Sequence, residues 1–245
     1  KISGDGLIGL IAKQLHHKAW AGFHFEDLIF PLFVFIAGVS LVFSLEKTLR
    51  QADRRTATLR ILRRSALLYF LGILYYGGFS SSLEDIRLLG VLQRIALCYL
   101  VSGLLFCYLK PRALMGVCVG LLVGYWALMS FVPVPGFGAG NFAEGAKLAN
   151  YVDQQYLPLR KHDGDHDPEG LLSTLPAIAS CLLGVFAGRL LKNPTLNDRK
   201  KVLQLIAGGL ACLAVGWAWH FNFPVIKKIW SSSFVLVAGG YSYLL

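Results

Sequence analysis

The sequence predicts an all-α fold, a polytopic membrane helix bundle, and three observations carry that prediction. Hydrophobic residues make up 55% of the 245, charged residues only 16%, and the mean hydropathy is +0.56. A soluble domain of this length carries about 25% charged residues. The apolar residues gather into seven runs, each near the length of about 20 helical residues that a bilayer core requires. Finally, Lys and Arg concentrate in alternate loops between the runs, the pattern that orients membrane helices.

The runs are residues 25–45, 65–79, 88–109, 113–132, 171–191, 202–220 and 229–245. The first has Pro31 in its opening turn, where backbone N–H groups lack intrahelical partners. The second is short and can begin as early as Leu59. The fifth is preceded by Asp167, Pro168 and Glu169, which read as an N-cap, a proline at the first helical position and an acid in the first turn. Pro176 then predicts a kink about two turns on. The seventh runs to the last residue. The chain begins at Lys1 and ends inside an apolar run, so it reads as a fragment.

Charge orients the bundle. Residues 46–64 hold Lys47, Arg50, Arg54, Arg55, Arg60, Arg63 and Arg64; Lys110 and Arg112 mark a second basic loop, and Arg189, Lys192, Arg199, Lys200 and Lys201 a third. The long loop 133–170 instead carries Glu144, Asp153, Asp163, Asp165, Asp167 and Glu169. Residues 46–64 are therefore assigned to the cytoplasm and loop 133–170 to the opposite, non-cytoplasmic face. The formal net charge of +10 lies in these loops, which argues against nucleic acid as a partner. Cys98, Cys107, Cys118, Cys181 and Cys212 all fall in apolar runs without a C-x-x-C pair, and read as core residues and not as disulfides or metal ligands.

Three constellations carry chemistry. The first is His16, His17, His24, Glu26 and Asp27, with Trp20 among them, at the mouth of the first run. Imidazole moves protons or carries acyl groups near neutral pH, and a carboxylate on its other nitrogen fixes the tautomer. Asp27 can serve either His24, three residues away, or His17 through a loop that folds back; spacing alone does not choose. The second is Arg87 to Arg94, with Gln93, where the two arginines share a helical face. Arg94 lies inside an apolar run, at about 2.5–3.5 kcal/mol on insertion scales, so a carboxylate or polar cavity is expected beside it. The third, from His162 to Gly170, resembles a calcium loop but fails the test, because Pro168 and Thr174 stand where an EF-hand needs Gly and Glu. Asp163 and Asp165 read as a solvated acidic loop, and no metal is expected. G-x-S-x-G, P-loop and H-E-x-x-H motifs are absent.

The segments Trp20-x-Gly22, Asp27-Leu28-x-Phe30-Pro31 with Phe33, Phe35 and Gly38, then Gly90-Val91-Leu92-Gln93-Arg94, then Asp167-Pro168-Glu169-Gly170-Leu171-Leu172-x-Thr174 occur in this order across most of the chain. Together they resemble the heparan-α-glucosaminide N-acetyltransferase family and its bacterial relatives. The resemblance implies a membrane enzyme that takes acetyl from cytosolic acetyl-CoA to a sugar amine on the far side of the membrane. It places the active histidine three residues before the W-x-G motif, on His17, and Asp27 and Asp167 on family positions; His24 is outside the motif and stays as the alternative catalytic residue. The family has a further helix before this stretch and later ones after it, so residues 1–245 are read as one transmembrane acyltransferase domain lacking its first helix and its C-terminal helices.

These readings assign His17 and Asp27 as catalytic, and Asp167, Glu169, Arg94, Gln93 and Trp20 as substrate-binding. His17 either takes the acetyl group or acts as base on the amine. Acetyl-CoA, an amino sugar or glycan acceptor and membrane lipids are the expected partners, a homo-oligomer is left open, and the expected location is a bacterial inner membrane. The rival reading is a proton-coupled transporter of a small polar or sugar substrate, since buried ionisable groups also mark transport pathways.

Overall fold

The structure, a computed structural model, describes residues 6–77, 86–145, 148–164 and 167–245. Among the described residues it is all-helical. The helices are α1 (Leu7–Gln14), α2 (Ile29–Gln51), α3 (Arg54–Tyr75), α4 (Val91–Tyr108), α5 (Pro111–Phe131), α6 (Leu148–Tyr156), α7 (Thr174–Leu191), α8 (Asp198–Trp219) and α9 (Ser232–Leu244). A 3₁₀ turn, Phe25–Leu28, leads directly into α2, and a second, Lys227–Ile229, precedes α9.

All seven apolar runs are helical, as α2 to α5 and α7 to α9. Five of these helices are long and apolar enough to cross a membrane: Phe25–Gln51, Val91–Tyr108, Pro111–Phe131, Thr174–Leu191 and Asp198–Trp219. Helix α3 falls short because Arg54, Arg55, Arg60, Arg63 and Arg64 occupy its first half, and α9 because it has 13 residues. The count of seven spans is therefore approximate. The second run starts earlier than its apolar part, at Arg54, where the Asp53 side chain caps the backbone N–H of Thr56. Its sequence end at residue 79 lies outside the described residues. Pro31 is the third residue of α2, as its lack of an N–H requires.

Two elements depart from the sequence reading. The fifth helix does not begin at Asp167. Residues 167–173 form successive turns, with Gly170 N–H on Asp167 C=O, Thr174 N–H on Leu171 C=O and Leu175 N–H on Leu172 C=O, and α7 starts at Thr174. Pro176 thus sits in the first turn and needs no kink: a helix already running at Asp167 would have met its ring with a carbonyl one turn earlier. Loop 133–170 is also not all loop, since α6 lies within it and turns Asp153 inward, 2% exposed.

Helix α7 is the central post. It packs against α2, α4, α5 and α9, and α8 and α3 are carried outward on α9 and α4. Helices α2 and α7 meet backbone to backbone. A Cβ on Gly38 would lie 2.0 Å from the Cys181 carbonyl oxygen, and one on Gly184 would lie 1.9 Å from that of Phe35. Small residues give this approach, the main source of affinity between helices that have no hydrophobic effect to drive them together in lipid. Cys98, Cys107, Cys118 and Cys181 are buried, Cys212 partly so, and all five are free thiols.

The alternation of helix direction collects residues 16–28, 86–90, 132–145, 148–164, 167–173 and 220–231 at one end of the bundle. Residues 46–64 lie at the other end of α2, about 34 Å away for 23 helical residues. The close contact yields a test. Gly184→Ala should lower stability by about 1–3 kcal/mol through overpacking, read as a lower thermal unfolding temperature in detergent. Gly116→Ala on α5, with nothing within 4 Å of its Cβ, should leave that temperature unchanged or slightly raised. Equal behaviour of the two would show that α2 and α7 do not need this approach.

Candidate active site

The site is built from irregular backbone at the loop-bearing end of the bundle. Residues 16–27 fold back over the start of α2. Gly22, at φ +120°, makes the reversal, and its N–H donates to Val225 C=O at 2.8 Å. Ala21 and Ile226 form a short antiparallel bridge, which brings the histidine segment against the turn that precedes α9.

Asp27 organises this wall. Its side chain is fully buried and accepts Lys18 N–H at 3.1 Å and His24 N–H at 3.0 Å on Oδ2. On Oδ1 it meets His17 Nδ1 at 3.0 Å. A carboxylate acceptor there selects the tautomer with the proton on Nδ1, and leaves the Nε2 lone pair outward. The loop does fold back far enough for His17, and spacing alone had left that open. The His17 ring is 57% exposed, with Nε2 3.7 Å from Glu26. His24 behaves differently: its Nδ1 donates to His16 C=O at 2.8 Å, and its backbone begins the 3₁₀ turn. That role is local and structural.

Facing His17 are residues 162–164 and 167–173, held by buried charges. Arg87 Nε donates to Asp167 Oδ2 at 2.8 Å, and its Nη2 donates to Asp167 Oδ1 at 2.6 Å and Glu169 Oε2 at 2.5 Å. Its guanidinium also lies 4.8 Å from the Tyr76 ring centre. Burial works against the charge on Arg87, but the hydrogen bonds and charge of Asp167 outweigh it and hold its pKa above the ordinary value. Burial likewise opposes ionisation of Asp167, and Arg87 overrides it, leaving that carboxyl below the usual range. Glu169 goes the other way. Burial, reinforced by the neighbouring Asp167, pushes it up against the pull of the two arginines. Behind them Asp153 accepts Leu171 N–H at 2.9 Å, and burial raises its pKa to about 6.

Arg94 is fully buried but, among the described residues, does not meet a carboxylate. Its Nη2 donates to Pro168 C=O at 3.1 Å, to Gly170 C=O at 3.5 Å and to Ser173 Oγ. Its guanidinium stacks 4.9 Å from the Trp230 ring, while Nε and Nη1 have no partner. The carboxylate expected for Arg94 belongs to Arg87, seven residues earlier on the same face. Carbonyls of a non-helical turn take its place, because those oxygens have no helix to satisfy them. Gln93 is also fully buried and donates to Arg87 C=O at 3.3 Å, so it braces Arg87. Trp20 Nε1 donates to Phe142 C=O at 3.0 Å, which straps loop 133–170 onto the histidine segment.

Between these walls lies a cavity of about 180 Å³. His17, Lys18, Lys227 and Lys228 line one side, His162, Asp163 and Glu169 another, with Phe30, Pro168 and Trp230 as its apolar floor. His17 and Glu169 thus share one cavity. Asp27 and Asp167 stand behind them, each holding its partner, while His24, Trp20, Gln93 and Arg94 lie outside the lining. Asp163 lines the cavity and is not simply solvated; Asp165 and His166 lie outside the described residues. Among the described residues no cluster of three metal-ligating side chains occurs.

Sequence reading missed two participants. Lys227 lies 3.0 Å from His17 Nδ1, 3.4 Å from Nε2 and 3.5 Å from Asp27 Oδ1. Burial lowers its pKa, with Asp27 opposing. Trp230 stands in the left-handed region at φ +52° and is 1% exposed, with Nε1 on Ser180 Oγ at 3.0 Å. In sequence Lys227 is one more loop cation, and only the Ala21–Ile226 bridge brings it to His17.

The Arg87 cluster predicts its own sensitivity. Arg87→Met leaves two buried carboxylates unpaired and should cost about 3–5 kcal/mol, measured as loss of folded protein on heating in detergent. Adding Asp167→Asn should restore part of that loss. Strict additivity of the two changes would mean the pair is not coupled.

The sequence model of the family described as heparan-alpha-glucosaminide N-acetyltransferase, catalytic, matches residues 7–215. The heparan-alpha-glucosaminide N-acetyltransferases of Mus musculus and Homo sapiens are each 28% identical to this chain over 285 aligned positions, covering 94% of it. The chain spans 43% of the length of these relatives. With the motifs around Asp27, Arg94 and Asp167 packed into one end of the bundle and the family match covering most of the sequence, this chain belongs to the heparan-α-glucosaminide N-acetyltransferase family.

Proposed function

We propose that this chain is the catalytic part of a membrane N-acetyltransferase, which moves acetyl from acetyl-CoA to the amino group of an amino sugar or glycan. The observation that carries the reading is the His17–Asp27 pair at 3.0 Å, with a buried carboxylate behind and a cavity in front. A histidine so oriented is a nucleophile or base at Nε2 and keeps its other proton on the carboxylate.

The small cavity favours carrying the acetyl group on the imidazole. At about 180 Å³ it lies below the roughly 300–1,000 Å³ of ordinary ligand pockets, and holding thioester and sugar together would demand more room. In the first half-reaction the Nε2 lone pair bonds to the thioester carbonyl carbon and the C–S bond breaks. CoA leaves as the thiolate and takes a proton from solvent. The acetylimidazolium keeps its Nδ1 proton on Asp27. In the second, the free amine of the sugar bonds to the acetyl carbon, the C–N bond to His17 breaks, and the surplus amine proton passes to Glu169 or to water. Glu169, whose pKa burial pushes up, sits on the wall facing His17 and is placed to bind the amino group. Arg87 and Asp167 keep it there.

Sidedness follows the charge pattern. Residues 46–64 face the cytoplasm, where acetyl-CoA is found, and the cavity opens on the other side, where glycans are modified. The thioester would reach His17 between the helices. In a bacterium this places the protein in the inner membrane.

Three outcomes test the reading, with the full chain in lipid nanodiscs. His17→Ala should lower acetyl transfer from acetyl-CoA to glucosamine by about 10²–10⁴-fold with the thermal unfolding temperature retained, and His24→Ala should keep most of the activity. The reverse order would move the reaction to His24. Wild-type protein given radiolabelled acetyl-CoA without acceptor should retain label that His17→Ala does not; absence of label with full turnover would replace the acetyl-imidazole by direct attack of the amine. For sidedness, in sealed membrane vesicles of known orientation in place of nanodiscs, an impermeant maleimide should label Gln51→Cys from the cytoplasmic side and Lys13→Cys from the other. The opposite pattern would invert the topology.

A further inference from the structure

Lys227 belongs to none of the motifs, yet its ammonium stands at the reacting imidazole. Its Nζ lies 3.0 Å from Nδ1 and 3.4 Å from Nε2 of His17. Nδ1 donates its proton to Asp27 and has no lone pair to offer, so the ammonium makes no hydrogen bond to it; the two distances together set Nζ over the ring, nearer Nδ1 but within reach of a group bonding to Nε2. Lys227 supplies a positive charge beside Asp27, but it is not the carboxylate's nearest donor. The carboxylate oxygens already take His17, Lys18 N–H and His24 N–H at 3.0–3.1 Å, against 3.5 Å for Lys227.

The backbone holds this lysine in place. Trp230 N–H donates to Lys227 C=O at 2.9 Å, and Ser231 N–H to Ile226 C=O at 3.2 Å. The Ser231 hydroxyl accepts Ile226 N–H at 3.0 Å. The left-handed residue Trp230 closes this turn, and its ring is fixed between Phe30 and Phe234 at 4.9 and 5.3 Å. The Lys227 side chain is 22% exposed, with its end inside the cavity. The neighbouring Lys228 also lines the cavity, but its ammonium pairs with Glu144 at 2.7 Å.

We propose that Lys227 is a catalytic residue, the donor that binds the acetyl oxygen as it becomes an oxyanion. The proposal rests on the acetyl-transfer reading and adds the group that reading lacks. An electrophilic carbon approaching Nε2 stands about 3–3.5 Å away before bond formation. An oxyanion donor is effective about 2.7–3.1 Å from the oxygen. A donor 3.4 Å from Nε2 can meet an oxygen bonded to a carbon that is itself closing on Nε2. As the N–C bond forms, the carbonyl electron pair moves to oxygen and is met by the ammonium. As the C–S bond breaks, the pair returns, and Lys227 keeps its proton throughout. The same oxygen bears charge again when the amine attacks the acetylimidazolium, so one donor serves both halves. Among the described residues Lys227 is the cation that lines the cavity and lies within 3.5 Å of both His17 nitrogens.

The test uses the full chain in nanodiscs with acetyl-CoA and glucosamine, and reads kcat, KM and thermal unfolding. Lys227→Met should lower kcat by about 10²–10³-fold with KM for acetyl-CoA little changed, and Lys227→Arg should recover part of kcat because it keeps a cationic donor. If Lys227→Met does not fold, Lys227→Arg and Lys227→Gln decide: a clear advantage of Arg over Gln in kcat supports the proposal. A variant without the ammonium that turns over at the wild-type kcat overturns it, as does a loss confined to KM, which would make Lys227 a holder of CoA. Wild-type protein that consumes no acetyl-CoA with any amino sugar overturns the acetyl-transfer reading, and this proposal with it. Active wild-type protein with an unimpaired Lys227→Met overturns the proposal alone.

Discussion

A carboxylate with no exposed surface, Asp27, sets the arrangement at the mouth of the bundle. Backbone there is irregular, and every buried N–H and C=O outside a helix needs a partner. Charged side chains supply them. Asp27 takes the N–H groups of Lys18 and His24, Asp167 those of His162 and Glu169, and Asp153 that of Leu171. Arg94 satisfies the carbonyls of Pro168 and Gly170. The residues that look like substrate ligands in sequence are thus first the frame of the cavity, and His17 and Glu169 are what that frame presents.

This division explains why so many ionisable groups are tolerated at the end of a membrane bundle. Asp167 and Arg87 form a bidentate pair, the geometry in which a buried ion pair offsets its own desolvation. Glu169 shares the same arginine but receives only one of its nitrogens. Burial and the negative neighbour push its pKa up, while Arg87 holds that of Asp167 down. Two acids two positions apart in the sequence are therefore held differently: both meet Nη2 of Arg87, and Asp167 alone also takes its Nε.

The bundle transmits rigidity to this frame through α7. The direct backbone contact between α2 at Gly38 and α7 at Gly184 fixes the height of Thr174 relative to Asp27, and Ser180, one turn below Pro176, takes the Trp230 indole N–H. Arg94 lies on the opposite side of the same indole. Displacement of α7 would therefore move the 167–173 turns, Trp230 and the lysine beside His17 together.

The sequence by itself determined the class and most of the elements. Composition and run length suffice for membrane helices, because the hydrocarbon core imposes one length and one polarity on each. The W-x-G, L-Q-R and D-P-E-G segments all fall at one end of the bundle, around the candidate site. Tertiary structure decided the partners. Asp27 could have served His17 or His24, and the choice follows from Gly22 at positive φ turning residues 16–21 back over the helix. Arg94, and not Arg87, stood out in the sequence because it lies inside an apolar run, yet the carboxylates went to Arg87 and backbone carbonyls to Arg94. The start of α7 moved from Asp167 to Thr174 for the same reason: once side chains satisfy the turn, the helix has no need to begin there. Lys227 carried no signal at all, since a lysine before an apolar run is ordinary, and its place beside His17 depends on a two-residue bridge between segments some 200 residues apart in sequence. Local pattern fixes which atoms are polar and which helices form; which polar atoms meet is a property of chain reversals and long-range pairing, and no local pattern encodes it.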